Sequence, residues 1–275
     1  MTELASRRVG FIGGGAMAEA LIGGLLTVGL DAAHLRVAEP DPSRRKHLEE
    51  HHGVACAGDA DAVVADCDLV VIAVKPGVVR PALEALPADA DRTRPLWVSI
   101  AAGVTLDQLD AALREGARVV RAMPNTPALV GAGATAICGN ARCTPADLSL
   151  ARALFESVGI CWPAPSEGLL DAVTGLSGSG PAYVFVFLEA LGDAGVRMGL
   201  PREAAYQLAF QTVYGAARLA IEQGRHPAAL KDQVTSPGGT TIAGLERLEA
   251  GGFRAAIHAA VAEATRRSRE LASED

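Results

Sequence analysis

The apolar positions of this 275-residue chain change their pattern once, near residue 167. Up to that point, short continuous apolar runs alternate with stretches of helical period. Strands are predicted in "RRVGFIG" (7–13), "LRVAEP" (35–40), "CDLVVIAVKP" (67–76), "PLWVSIAAG" (95–103), the start of "ARVVRAMPNTPALV" (117–130) and "GATAICG" (133–139). Their apolar residues run on instead of alternating, as in strands buried on both faces. Helices are predicted at 16–29, ending at Gly29, at 43–53, at 105–116 and at 144–159. Thr105 and Gln108 have capping-box spacing, and Pro145 sits in the first turn of a capped helix. Strands alternating with helices imply a mostly parallel sheet covered on both sides.

Beyond residue 167 the strand signal vanishes. "PAYVFVFLEALGDAGVRMG" (181–199) is apolar nearly all round and reads as a buried helix. Pro201 opens a second helix running to about Gly224. The closing segment places Phe253, Ile257, Ala260, Val261, Ala264 and Leu271 at roughly helical spacing. So much apolar, alanine-rich helical surface in about 110 residues predicts burial against a second subunit. The expected division is therefore 1–165, α/β, and 166–275, all-α.

Composition narrows the function. Net charge is −7, with a sequence pI near 5.4, which argues against nucleic-acid or anionic-membrane partners. No apolar run approaches the roughly 18 residues of a membrane span, and the first residues lack a leader layout, so a cytoplasmic protein is expected. The five cysteines are odd in number and form no CxxC, and Cys138 and Cys143, five apart, have no histidine near in sequence, so they read as reduced thiols and no metal site is expected.

"VGFIGGGAMAEAL" sets Gly13-x-Gly15-x-x-Ala18 between the first strand and first helix. The first glycine permits a tight turn, the second lets backbone approach a pyrophosphate, and the third position needs only a small residue. The helix N-terminus, at Ala16 and Met17, then offers free N–H groups to the phosphates. Glu39, ending the second strand, is placed to accept from a ribose 2′-OH. A Rossmann-type dinucleotide domain follows, with Ala73, Val74, Lys75, Pro76, Ala102 and Asn125 in further loops at its carboxyl edge. The expected cofactor is NADP(H) or NAD(H).

Hydride transfer to a carbonyl usually needs a His, Lys or zinc to handle the proton. His34, His47, His51 and His52 lie in polar surroundings and read as solvated; His226, in a loop before Pro227, stays open, and His258, in the last helix, reads as a partnered surface or interface residue. The helical half instead carries two hydroxyl-and-glycine strings, "TGLSGSGPAY" (174–183) and "TSPGGTT" (235–241), each read as a loop before a helix. Such strings suit a carboxylate and a weak hydrogen-bond partner better than a general base. Reduction of a protonated imine fits, since its carbon is already electrophilic.

"LKDQVTSPGGTTIAGLERLE" and "DAVTGLSGSGPAYVF" resemble two signature stretches of the pyrroline-5-carboxylate reductases. "VGFIGGGAMAEALIGGL", "AVKP", "SIAAGVTL" and "RAMPNTPALVGAG" resemble the same family in the same order, so the likeness covers nearly the whole chain. The resemblance implies NAD(P)H-dependent reduction of 1-pyrroline-5-carboxylate to L-proline. It also implies an α/β Rossmann-type domain followed by an all-α dimerisation domain, with homodimers often assembled into decamer-like rings. Carried over by position, Thr241 would meet the substrate ring nitrogen. Ser236, Gly238, Gly239, Thr240 and Ser177 would contact the substrate, the 236–240 loop taking its carboxylate. Where many members carry a neutral or basic pair after the second strand, this chain has Glu39-Pro40, which favours NADH at least as much as NADPH. Two alternatives stay open. One is a β-hydroxyacid dehydrogenase, whose catalytic lysine is absent from "GLSGSGPAYVFVFLEAL"; the other is an NAD(P)-binding sensor without turnover.

Overall fold

The computed structural model describes residues 4, 6–113 and 116–273. The start of the amino-terminal segment and Arg114–Glu115 of the helix expected over 105–116 lie outside the described residues. The chain divides into two compact units, Met1–Ser179 with Glu263–Asp275, and Gly180–Ala262.

The first unit is built on strands β1 (Val9–Ile12), β2 (Leu35–Ala38), β3 (Ala55–Ala57), β4 (Leu69–Ile72), β5 (Leu96–Ser99), β6 (Arg118–Met123), β7 (Gly133–Gly139) and β8 (Gly159–Pro163). They form one sheet in the order β3-β2-β1-β4-β5-β6-β7-β8. Every pairing is parallel except β6–β7. That exception has a local cause. Residues Thr126–Val130 form a 3-10 turn, Gly131 takes φ +71°, and the chain reverses with no crossover helix. Helices α1 (Ala16–Thr27), α2 (Pro42–His52), α3 (Asp61–Asp66), α4 (Pro76–Glu84), α5 (Leu106–Leu113) and α6 (Pro145–Glu156) follow strands, and α7 (Leu169–Val173) closes the series.

The strand order reverses at β1, whose neighbours are β2 and β4. Ligands of open α/β sheets bind outside the carboxyl ends of the strands at such a point. The alternating side chains of the strands feed two cores. Val9, Phe11 and Val71 pack with Leu21, Ile22 and Leu25 of α1 and Phe155 of α6. Ile12, Val70, Ile72 and Trp97 pack with Val63, Leu83 and Leu109 of α3, α4 and α5. Each such side chain contributes about 1.5–3 kcal/mol on burial. The capping box expected at Thr105 forms, with Thr105 N donating to Gln108 Oε1 at 2.7 Å and Gln108 N donating to Thr105 Oγ1 at 3.2 Å. That at Thr144 closes with Asp147 in the same manner. Elements β3, α3, α4 and β8 were not expected from the apolar pattern, being short or, for β8, mixed in character.

The second unit is helical: α8 (Gly180–Arg197), α9 (Arg202–Gln223), α10 (Pro227–Gln233), α11 (Thr240–Ala250) and the first half of α12 (Phe253–Ser273). Helices α8 and α9 pack closely because Gly192 lies under the Tyr206 ring, where a Cβ would sit 2.9 Å from the nearest ring carbon. Tyr183 donates to the Ala260 carbonyl at 3.3 Å, and Phe187 lies 6.0 Å from Phe253. One expectation needs correction. Helix α8 is not buried within its own chain, since Gly192 alone among its residues is fully covered, and Phe185 and Val186 are 65% and 67% exposed. An apolar perimeter shows that a helix must be covered, not which chain covers it.

Candidate active site

The loop after β1 is a prepared cradle. Gly13 takes φ +98°, and a Cβ there would lie 2.9 Å from the Ala73 carbonyl oxygen and from a Val74 methyl. The loops after β1 and β4 therefore touch at a point that only glycine fits. Gly14 is held from both sides: its N–H donates to Glu39 Oε2 at 2.8 Å, and its carbonyl accepts from Arg44 Nε at 2.5 Å. Gly15 differs. It is the N-cap of α1 with no side chain capping the helix, and a Cβ on it would meet nothing within 4 Å. The N–H groups of Ala16 and Met17 have no intrahelical acceptor by position. Ala16 is exposed, whereas the Met17 side chain packs partly on the core. A rigid loop, open space at Gly15 and an uncapped helix end fit a pyrophosphate.

Glu39 stands at the end of β2, half-buried, its other oxygen accepting from Asp41 N at 3.0 Å. Spare lone pairs remain for a ribose hydroxyl. The arginines one turn into α2 are both engaged. Arg44 binds Glu19 as well as Gly14, and Arg45 donates to the Glu39 and Pro40 carbonyls at 2.8 and 2.9 Å. Two histidines also close on Glu19: His47 at 2.8 Å and His52 at 3.0 Å, with the His51 ring stacked on His47. Burial pushes the Glu19 carboxyl up, but bonds from Arg44, His52 and His47 outweigh it and hold it down at about 2. His47 and His52 are thus partnered, not simply solvated. Their partner lies 28 and 33 residues away in sequence, beyond any local pattern.

The other expected positions occupy the same edge of the sheet. Lys75 is the exposed N-cap of α4, with Pro76 in its first turn, and Ala102 lies exposed after β5. Asn125, expected at the same edge, is fixed by the fold. It is buried, its amide nitrogen donates to the Ser177 carbonyl at 3.0 Å, and its oxygen accepts from Ala134 N at 2.8 Å.

The two hydroxyl strings diverge. "TGLSG" is no loop: residues Thr174–Gly178 form a π-helical turn between α7 and α8. Its hydroxyls turn back on the helix, Thr174 to the Leu170 carbonyl at 2.8 Å and Ser177 to that of Val173 at 3.2 Å. A Cβ at Gly178 would lie 2.7 Å from the Met123 methyl, so the small residue here serves packing. "TSPGGTT" is a loop ending at a helix. Gly238 has φ +65°, Gly239 N-caps α11 without a side-chain cap, and Thr240 and Thr241 are the first helical residues. Thr235 bonds back to the Lys231 carbonyl, while Ser236 and Thr240 stay exposed and Thr241 is half-exposed. Gly238, Gly239, Lys231 and Ile242 line a depression of about 490 Å³. His226, undecided from sequence, caps α10 by accepting from Ala228 N at 3.2 Å.

Nothing in the cysteines competes for the chemistry. Burial pushes Cys161 up to about 12, and Cys56, Cys67 and Cys143 up to about 11, so they stay thiols. Among the described residues no cluster of three metal-ligating side chains occurs, and no helix is long and apolar enough to cross a membrane.

Residues 167–271 match the family described as pyrroline-5-carboxylate reductase dimerisation, and residues 8–103 match NADP oxidoreductase coenzyme F420-dependent. The chain is 48% identical to a pyrroline-5-carboxylate reductase of Synechocystis over 97% of its length and 98% of the relative's. The Escherichia coli enzyme of that name is 43% identical over 96% and 98% of the two chains. The chain belongs to the pyrroline-5-carboxylate reductase family. The reductase of Coxiella burnetii superposes with TM-score 0.93 at 37% identity, covering 97% and 98% of the two chains. That of Plasmodium falciparum, solved with NADP bound, superposes with TM-score 0.85 at 30% identity over 98% and 99%. Membership in the reductase family also explains the uncovered helices, because the helical half is a dimerisation domain.

Proposed function

We propose that the chain reduces the cyclic imine 1-pyrroline-5-carboxylate to L-proline with NADPH or NADH, the closing step of proline biosynthesis. The observation that carries this reading is the joint presence of two prepared anion sites. One is the Gly13–Met17 cradle. The other is the loop from Ser236 to Thr241 at the start of α11. The bound nicotinamide supplies a hydride to the imine carbon.

The chain's own residues do the rest. Gly13, Gly15, Ala16 and Met17 hold the pyrophosphate, Glu39 the adenosine ribose, and Ala73, Val74, Lys75, Pro76 and Ala102 the remainder of the coenzyme edge, with Asn125 and Ser177 locking the loop beside it. Ser236, Gly238, Gly239 and Thr240 receive the substrate carboxylate. The Thr241 hydroxyl accepts from the iminium N–H and orients the ring. The division at 165/166 separates a coenzyme half from an assembly-and-substrate half. Homodimers form through the helical half and stack into a decamer, and the enzyme works in the cytoplasm on a small molecule, not on nucleic acid or membrane.

The test is oxidation of NADPH and NADH with 1-pyrroline-5-carboxylate, with a 3-hydroxy acid and NAD(P)+ as control. Turnover of the imine alone supports the reading. Turnover of the hydroxy acid alone would turn it to a β-hydroxyacid dehydrogenase, and coenzyme binding without either activity to a sensor.

A further inference from the structure

The contact between α1 and α2 beside the coenzyme cradle holds more charge than the reaction requires. Arg44 lies at the edge that Glu39 marks for the adenosine ribose, and its Nε touches the carbonyl of Gly14, whose N–H is bound by Glu39. A guanidinium in that neighbourhood is the natural partner of a 2′-phosphate. Here it is committed elsewhere, because its terminal nitrogen meets Glu19 Oε2 at 2.5 Å. Glu19 is itself fixed through its other oxygen by His47 and His52. Three side chains of α2 therefore converge on one carboxylate of α1. Arg45 is the remaining cation near that edge in α2, and it is spent on the Glu39 and Pro40 carbonyls.

We propose that Glu19 is a specificity-determining positioning residue: held by His47 and His52, it withholds Arg44 from the 2′ position and so biases the chain toward the coenzyme without a 2′-phosphate. The inference rests on the coenzyme reading above and adds a second element to Glu39. Glu39 repels the phosphate directly, whereas Glu19 acts through Arg44. Releasing Arg44 while leaving Glu39 in place should let a flexible cation offset that repulsion.

The test is equilibrium binding of NADPH and NADH, followed by nucleotide fluorescence at low ionic strength, to wild type, Glu19→Gln, Arg44→Ala and the double variant. Glu19→Gln is expected to shift the ratio of affinities toward NADPH by about five- to tenfold, the size of one added charge about 3–4 Å from the phosphate at a water-like dielectric. Arg44→Ala alone should leave the ratio within about twofold, because Arg44 is withheld, and in the double variant the gain should vanish. A steady-state KM for NADPH that falls in Glu19→Gln at unchanged kcat would agree with this. The proposal is overturned if Glu19→Gln tightens both coenzymes equally, since Glu19 then merely repels the pyrophosphate. It is also overturned if Arg44→Ala alone weakens NADPH tenfold, since Arg44 then already serves the phosphate. The second arm stands even where Glu19→Gln fails to fold. Absence of binding by either coenzyme to folded wild type would strike the coenzyme reading, and the proposal with it.

Discussion

The two units meet opposite fates as single chains. Among the described residues, the buried apolar side chains lie almost wholly in the first unit, and only Ala205 and Ala209 represent the second. The second unit instead exposes Phe185, Val186, Leu208, Phe210 and Ile221, each more than half accessible. A sheet with helices on both faces closes its own core, whereas α8 and α9 can cover only one side of each other. Exposed apolar surface of this extent marks an interaction face, and the dimerisation family matched by residues 167–271 says what covers it. One unit thus closes the core that carries the candidate coenzyme cradle within its own chain. The other contributes a loop whose supporting helices are complete only in the assembly.

Changes in the second unit should break this contrast most sharply. Introducing Phe185→Glu together with Ile221→Glu buries unpaired charge, at a cost of several kcal/mol. Sedimentation should show a monomer at micromolar concentration, with activity down more than about a hundredfold while coenzyme binding by the first unit persists. A fully active dimer would show that this face is not the interface. Next in size is Thr241→Ala, which removes one hydrogen bond to a charged group, worth roughly 1.5–3 kcal/mol, or about ten- to a hundredfold in kcat/KM. Unchanged kcat/KM would remove Thr241 from the mechanism.

Two neighbouring glycines separate fold from function inside the first unit. Gly13→Ala forces a side chain into φ +98° against the Ala73 carbonyl, so thermal unfolding should reveal a loss of about 1–3 kcal/mol. Gly15→Ala meets no atom within 4 Å; it should cost under about 1 kcal/mol yet weaken coenzyme binding about tenfold. Equal effects of both on stability would mean that Gly15 is structural. Glu39→Ser should move the kcat/KM ratio toward NADPH by at least about tenfold, since two like charges some 5 Å apart repel by roughly 3 kcal/mol at an effective dielectric of 20, of which solvent and salt screen a part. It should also loosen both coenzymes somewhat, because Gly14 N loses its carboxylate partner. An unmoved ratio would leave Glu39 with the loop alone.

The smallest effect is a pH dependence. Arg44, His52 and His47 hold Glu19 at about 2, below its ordinary 4.5. A depressed carboxyl stabilises the fold fully above its ordinary value, and the stabilisation fades as pH falls from about 4.5 toward 2. The Tm difference between wild type and Glu19→Gln should therefore shrink across that window. A difference that stays constant would show that the cluster adds nothing to stability.

Much of the candidate site was legible because its signals are local. Gly13, Gly15 and Glu39 declare themselves through turn requirements and strand ends, and Gly238 through Thr241 through a loop that stops at a helix start. Where the string was equally suggestive but the surroundings differed, reading failed. "TGLSG" has the same composition as a loop, yet Asn125 and Met123, about fifty residues away, hold it as a π-turn. Strand β3 is three residues long and β8 carries an exposed Ile160 and Trp162, so neither produces a periodic signal.

By itself the sequence determined the α/β-then-α order, the parallel sheet, the cradle and the hydroxyl loop. Each of these follows from periods, turn glycines and caps within a few residues of one another. Tertiary structure alone decided the antiparallel β6–β7 reversal, the roles of Asn125 and His226, and the convergence of Arg44, His47 and His52 on Glu19. The physical reason is the range of the interaction. Backbone preferences are written in neighbouring residues, whereas a charge or amide finds its partner only after the sheet has brought distant segments together.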